Sequence, residues 1–144
     1  GSMNASLPEA VMTVEQINEF LDREFPQHIG LVTELGKNTA LMRLDVDDDH
    51  LRPGGTVSGP TMMALADVCL YVAILAQIGP VALDVTTNLN INFLRKPEPD
   101  KAILAEAKLL KLGKRLAVGE IAIYSEGEEE PVAHVTATYS IPPR

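Results

Sequence analysis

Asp67 is the one charged residue in an otherwise almost wholly apolar run, MMALADVCLYVAILAQI, from Met62 to Ile78. A carboxylate carried into a core costs on the order of several kcal/mol unless it is partnered or protonated. A carboxylate in such a place can serve as a general base, as a nucleophile, or as a structural partner for an arginine or a loop. Gly59-Pro60 precedes the run and Gly79-Pro80 follows it. Proline suits the first helical position, and Gly-Pro stops a helix. The spacing therefore predicts one helix, apolar nearly all round, and a helix of that kind is buried. A membrane span needs about 18 to 20 apolar residues. This run is shorter, carries an acid near its middle and lacks a basic flank, so no membrane partner is expected.

Other residues that could do chemistry are scattered. Cys69 is the only cysteine. It lies within the apolar helix, where a thiol is a small core residue rather than a thiolate. Asp47-Asp48-Asp49-His50 lacks the Gly and distal Glu of a calcium loop, so no metal site is expected. Arg95, Lys96, Lys111, Lys114 and Arg115 give local positive charge in a chain of net charge −8. That balance argues against a nucleic-acid partner. Arg is suited to bidentate phosphate contacts. The only histidines are His28, His50 and His134, and none is on the Asp67 helix. Gly1-Ser2-Met3 reads as an expression scar, leaving residues 4–144 as a single domain. No signal peptide is visible, so the cytoplasm is the expected compartment.

The elements that must position these residues follow from periodicity. Thr13-Val14-Glu15-Gln16 is a capping box ahead of Ile17, Phe20, Leu21 and Phe25, predicting an amphipathic helix over about 14–25. Strands are expected over 31–35 and 39–46, with a turn at Gly36-Lys37-Asn38. Residues 51–58, LRPGGTVS, read as a loop before the long helix. Four further strands are expected over 85–94, 102–112, 116–125 and 132–141, the middle two joined by a tight turn at Gly113-Lys114. In the first of these, Val85, Thr87, Leu89, Ile91 and Phe93 share one face, and Thr86, Asn88, Asn90 and Asn92 share the other. Asn is depleted in strands, so three on one face suggest a polar subunit contact or a wet cleft lining. A helix that is apolar all round must be wrapped, and a strongly curved sheet does that. The predicted fold class is α+β. It is a hotdog arrangement, a six-stranded antiparallel curved sheet around one long central helix.

The stretch Thr56 to Asp67, TVSGPTMMALAD, and the strand VTTNLNINFLRKP from Val85 to Pro97 resemble the acyl-CoA thioesterases of the hotdog superfamily. The nearest resemblance is to the phenylacetate-type group, relatives of 4-hydroxybenzoyl-CoA thioesterase. It covers about residues 30 to 142. The family pattern places His-Gly-Gly at the start of the helix and an acid seven residues after the second Gly. Ser58, Gly59 and Pro60 occupy the first three positions, and Asp67 falls at the acid. Asn90-Ile91-Asn92-Phe93 matches the family's Asn-Ile strand, and Thr86 matches its upstream Ser or Thr. The family's His is replaced by Ser58, its second Gly by Pro60, and an Asn often found before the motif by Arg52.

The resemblance implies hydrolysis of an acyl-CoA thioester to free acid and CoA, with no cofactor beyond the CoA of the substrate. That chemistry needs a donor for the developing oxyanion and an activated water or a nucleophile. The N-terminus of a buried helix offers free N–H groups and a positive dipole end. Pro60 has no N–H, so the donor is assigned to Gly59. Asp67 is general base or nucleophile, and Thr86 holds the water or the acid. Asp67 lies roughly 10 Å along the helix from Gly59. The resemblance implies that the site forms between two subunits, the loop from one and the acid from the other, in a homodimer or homotetramer. Open sheet edges also invite pairing. Arg52, Gly55, Ser58, Pro60, Asn88, Arg95, Lys96, Lys114 and Arg115 are the expected substrate contacts. Arg52 alternatively pairs Asp67 or the CoA across the dimer. Two other classes remain open: a non-catalytic acyl-CoA-binding protein, suggested by Ser58 and Arg52, and a hotdog hydratase or dehydratase, which would need a histidine such as His134 opposite the acid.

Overall fold

The computed structural model describes residues 11–24, 29–45, 51–52, 56–80 and 86–143. Helix α1 spans Val14–Glu24, followed by strands β1 (Leu31–Gly36) and β2 (Thr39–Leu44). A two-residue pair, β3 (Leu51–Arg52) and β4 (Thr56–Val57), leads into α2 (Gly59–Ile78). Strands β5 (Thr86–Phe93), β6 (Ile103–Leu112), β7 (Leu116–Ser125) and β8 (Ala133–Ser140) complete the chain. Six strands form one antiparallel sheet in the order β1-β2-β6-β7-β8-β5. The sheet curves around α2, as the periodicity predicts. The antiparallel β3–β4 pair lies where a plain loop was expected.

The capping box holds as read. Gln16 N donates to Thr13 Oγ1 at 3.1 Å and Thr13 N to Gln16 Oε1 at 2.9 Å. Ile17, Phe20 and Leu21 then face the core.

α2 packs against β2, β6, β7 and β8. These strands present small buried side chains to it, Ala40, Ala105, Ala107, Ala117, Ala133 and Ala137. Small residues there let a bulky helix of Leu65, Leu70, Ile74 and Leu75 come close. Gly119 is the extreme case: a Cβ on it would lie 2.4 Å from Leu70 Cδ1. By length and composition α2 could cross a membrane, yet it is the core helix of this sheet.

Two expectations are corrected. First, α2 is not covered all round. Pro60, Met63 and Ala64 are exposed and Asp67 and Val68 are half-buried, because β5 at the sheet edge leaves that side of the helix open. Asp67 is therefore half-buried within the chain rather than enclosed. Second, Thr86 does not share a face with Asn88, Asn90 and Asn92. Thr86 pairs with Tyr139 but Asn88 pairs with Thr138, so Thr87 is an extra residue in a β-bulge. A one-residue shift turns a side chain to the opposite face. Thr86 thus points to the helix side with Tyr139, while the three asparagines pair with Thr138, Thr136 and His134 on the outer face.

Candidate active site

The bulge brings three residues from three elements together. Thr86 Oγ1 on β5 donates to Asp67 Oδ1 at 2.9 Å. The Tyr139 hydroxyl on β8 donates to the same Oδ1, and it also lies 3.0 Å from the Asp67 main-chain oxygen. Tyr139 is buried, and its ring meets Tyr71 edge-on with centroids 5.9 Å apart. Burial first, and then the Asp67 carboxylate it bonds, push the Tyr139 phenol well above its ordinary value of 10. It therefore remains a proton donor over the working pH range.

Asp67 and Thr86 open onto a cleft of about 500 Å³ between α2 and β5, shared with Pro60, Met63, Ala64, Asn88 and Leu89. Asn88 accepts from Asn90 Nδ2 at 2.8 Å, forming a short amide ladder along the edge strand.

Gly59 lines a neighbouring groove of about 430 Å³ with Met62, Phe93, Leu94, Arg95 and Lys96. Its N–H is at the first helical position, outside the intrahelical ladder. A Cβ on Gly59 would lie 3.0 Å from the Phe93 ring, so the bare backbone also accommodates that side chain. Ser58 is the N-cap of α2: its Oγ accepts from Thr61 N at 3.2 Å and shares a hydrogen bond with Thr61 Oγ1 at 2.8 Å. A Ser suits that local role.

The basic residues divide into two groups. Arg95 pairs with Glu130 at 2.9 Å and donates to Pro131 O, close to the start of β8. Lys96 adjoins it, beside Gly59. Lys114 and Arg115 are exposed in the β6–β7 hairpin, where Arg115 O accepts from Ile141 N beyond the other end of β8. The two groups are separated by the strand's length, about 25 Å, so one subunit does not gather them at a single phosphate. The backbone of Arg52 pairs with Thr56. Gly55 lies outside the described residues, as do His28, His50 and the 47–50 acidic turn. His134 bonds Glu120 at 2.9 Å on the outer face of the sheet, away from Asp67. Cys69 is buried, and desolvation pushes its thiol far up.

The sequence profile of the thioesterase superfamily matches residues 54–132, which includes α2 and the strand bearing Thr86. The chain belongs to the thioesterase superfamily. A candidate thioesterase from a Silicibacter species is 51% identical, with a TM-score of 0.87 over 94% of this chain and 96% of that one. A mutant form of the phenylacetic acid degradation protein PaaI from Thermus thermophilus is 26% identical with a TM-score of 0.70, over 84% of this chain and 100% of that one. A thioesterase from Haemophilus influenzae shares the fold at 22% identity, with a TM-score of 0.79 over 95% of each chain. No curated protein sequence matches this one. As a thioesterase-superfamily member with the hotdog fold, the chain is a thioester hydrolase. Within this thioesterase Tyr139 is the residue that sequence reasoning missed. Alternation places it on the inner face, and a buried Tyr hydroxyl needs a partner, which was the available signal.

Proposed function

We propose that this thioesterase hydrolyses an acyl-CoA, with Asp67 as the reacting carboxylate. The observation that carries this reading is a carboxylate bonded through Oδ1 alone, among the described residues, at the wall of an open cleft. Oδ2 then takes a proton from water as the water oxygen attacks the carbonyl carbon, or attacks that carbon itself. The C–S bond breaks; in the first route the CoA sulfur leaves with the proton that Oδ2 took from water, and in the second it leaves as the thiolate, which takes a proton from solvent. Water in the first route, or hydrolysis of the acyl-enzyme in the second, yields the free acid. No cofactor enters either route.

The oxyanion donor is the Gly59 N–H of a second subunit. Gly59 and Asp67 of one chain line separate clefts, which favours a shared site. Two features support a homodimer, or a tetramer built from it. β5 is an open sheet edge. Beside it Met63, Phe93 and Leu94 are exposed by 38, 52 and 53%. A two-fold pairing here would place two Asp67 clefts against two helix N-termini. Arg95 and Lys96 then act beside the partner's cleft, where the CoA phosphates would lie, and Arg52, Gly55, Ser58, Pro60 and Asn88 border the acyl and pantetheine path. We place the enzyme in the cytoplasm, since its only thiol is buried and has no disulfide partner.

Release of free CoA thiol from acetyl-, hexanoyl-, benzoyl- and phenylacetyl-CoA tests the substrate class. Turnover of at least one is expected. Binding of all four without turnover would make the chain an acyl-CoA-binding protein instead. Sedimentation is expected to show no active monomer.

A further inference from the structure

We propose that Tyr139 is a positioning residue that ties one oxygen of the Asp67 carboxylate to the sheet and leaves the other facing the cleft. The inference rests on the reading of Asp67 as the reacting carboxylate. An ionised carboxylate offers about two lone-pair sites on each oxygen. Thr86 and Tyr139 occupy both sites of Oδ1. Among the described residues no donor reaches Oδ2, so the open oxygen is the one left for substrate or water.

Tyr139 is well placed to impose this orientation. The β5 partner of Tyr139 in the strand register is Thr86 itself, so the sheet sets the two donors side by side. The Tyr139 ring is 4% exposed and held by Tyr71 at an interplanar angle of 79°. A half-turn of the carboxylate merely exchanges two equivalent oxygens; what two donors from a rigid sheet oppose is the partial rotation that would swing the free oxygen away from the cleft. Charge-assisted bonds of this kind are the strong ones. The contact with the Asp67 main-chain oxygen ties the same hydroxyl to the helix backbone, so side chain and backbone are registered together. A residue that only filled space would need the ring alone. Phenylalanine would then do as well.

Tyr139→Phe keeps the ring and removes the hydroxyl. With the fastest of the four CoA esters named above, kcat is expected to fall about 10- to 100-fold with KM little changed. Site-specific 3-fluorotyrosine at position 139 keeps the hydroxyl and restores kcat, which also serves if the Phe variant does not fold. A Phe variant with wild-type kcat, alongside an inactive Asp67→Asn enzyme, overturns this inference alone. An active Asp67→Asn enzyme overturns the underlying reading as well. A 3-fluorotyrosine variant as impaired as the Phe one would likewise count against the hydroxyl.

Discussion

Thr86→Val replaces a hydroxyl by a methyl in a residue of the same shape, with β-branching that suits a strand equally well. The loss is one hydrogen bond of 2.9 Å to Asp67 Oδ1. Hydrogen bonds to charged groups contribute about 1.5–3 kcal/mol. Asp67 is half-buried and Tyr139 still donates to the same oxygen, so the lower end applies. About 1.4 kcal/mol is a factor of ten in rate. The variant should therefore lose roughly tenfold in kcat. Stopped or continuous detection of CoA thiol measures this loss. Combining Thr86→Val with Tyr139→Phe should cost more than the two single losses together, since the first loss leaves one donor on Oδ1 and the second leaves none. Wild-type kcat in Thr86→Val, or strict additivity in the double variant, would refute the view that both donors act through one oxygen.

Gly59→Pro removes the proposed oxyanion N–H at a position where Pro is tolerated in a helix; the added Cβ would lie 3.0 Å from the ring of Phe93, which is half exposed. Loss of such a donor typically lowers kcat by ~100- to 1,000-fold, so retained kcat in a folded variant would move the donor elsewhere. A second measurement concerns stability: the guanidinium of Arg43 holds Glu126 below its ordinary value of 4.5. A carboxylate depressed in the folded state stabilises above its unfolded value and loses that contribution as pH falls through its folded one. Glu126→Gln is accordingly expected to lower the urea midpoint at neutral pH, to leave it unchanged at acid pH where Glu126 is already protonated, and so to flatten the acid side of the profile.

How far these residues could be read from the chain differs from case to case, for physical reasons. Asp67 announces itself, because a lone acid in an apolar helix breaks the pattern around it. The helix, the six main strands and the hairpin at residues 113–115 follow from period and turn chemistry. The bulge at Thr87 does not. Both Thr86 and Thr87 are β-branched and suit either face, so nothing in their types reveals the extra residue that turns Thr86 toward Asp67. Period alone placed Thr86 with the asparagines. Resemblance pointed to Thr86 without the reason for it. The open side of α2 was hidden for another cause: Met63 and Ala64 are as apolar as their buried neighbours, and only the edge position of β5 leaves them uncovered. Ser58 also has a local duty that its type suggests, because a hydroxyl at a helix start bonds the first free N–H groups.

The most direct test of the central claim is turnover by Asp67→Asn. The amide is isosteric, keeps an oxygen for Thr86 and Tyr139, and cannot take a proton or attack a thioester as the carboxylate does. It is expected to fold as the wild type and to lower kcat by at least ~100-fold on every acyl-CoA that the wild type hydrolyses. Turnover close to wild type in this variant would leave Asp67 a structural residue and place the chemistry elsewhere.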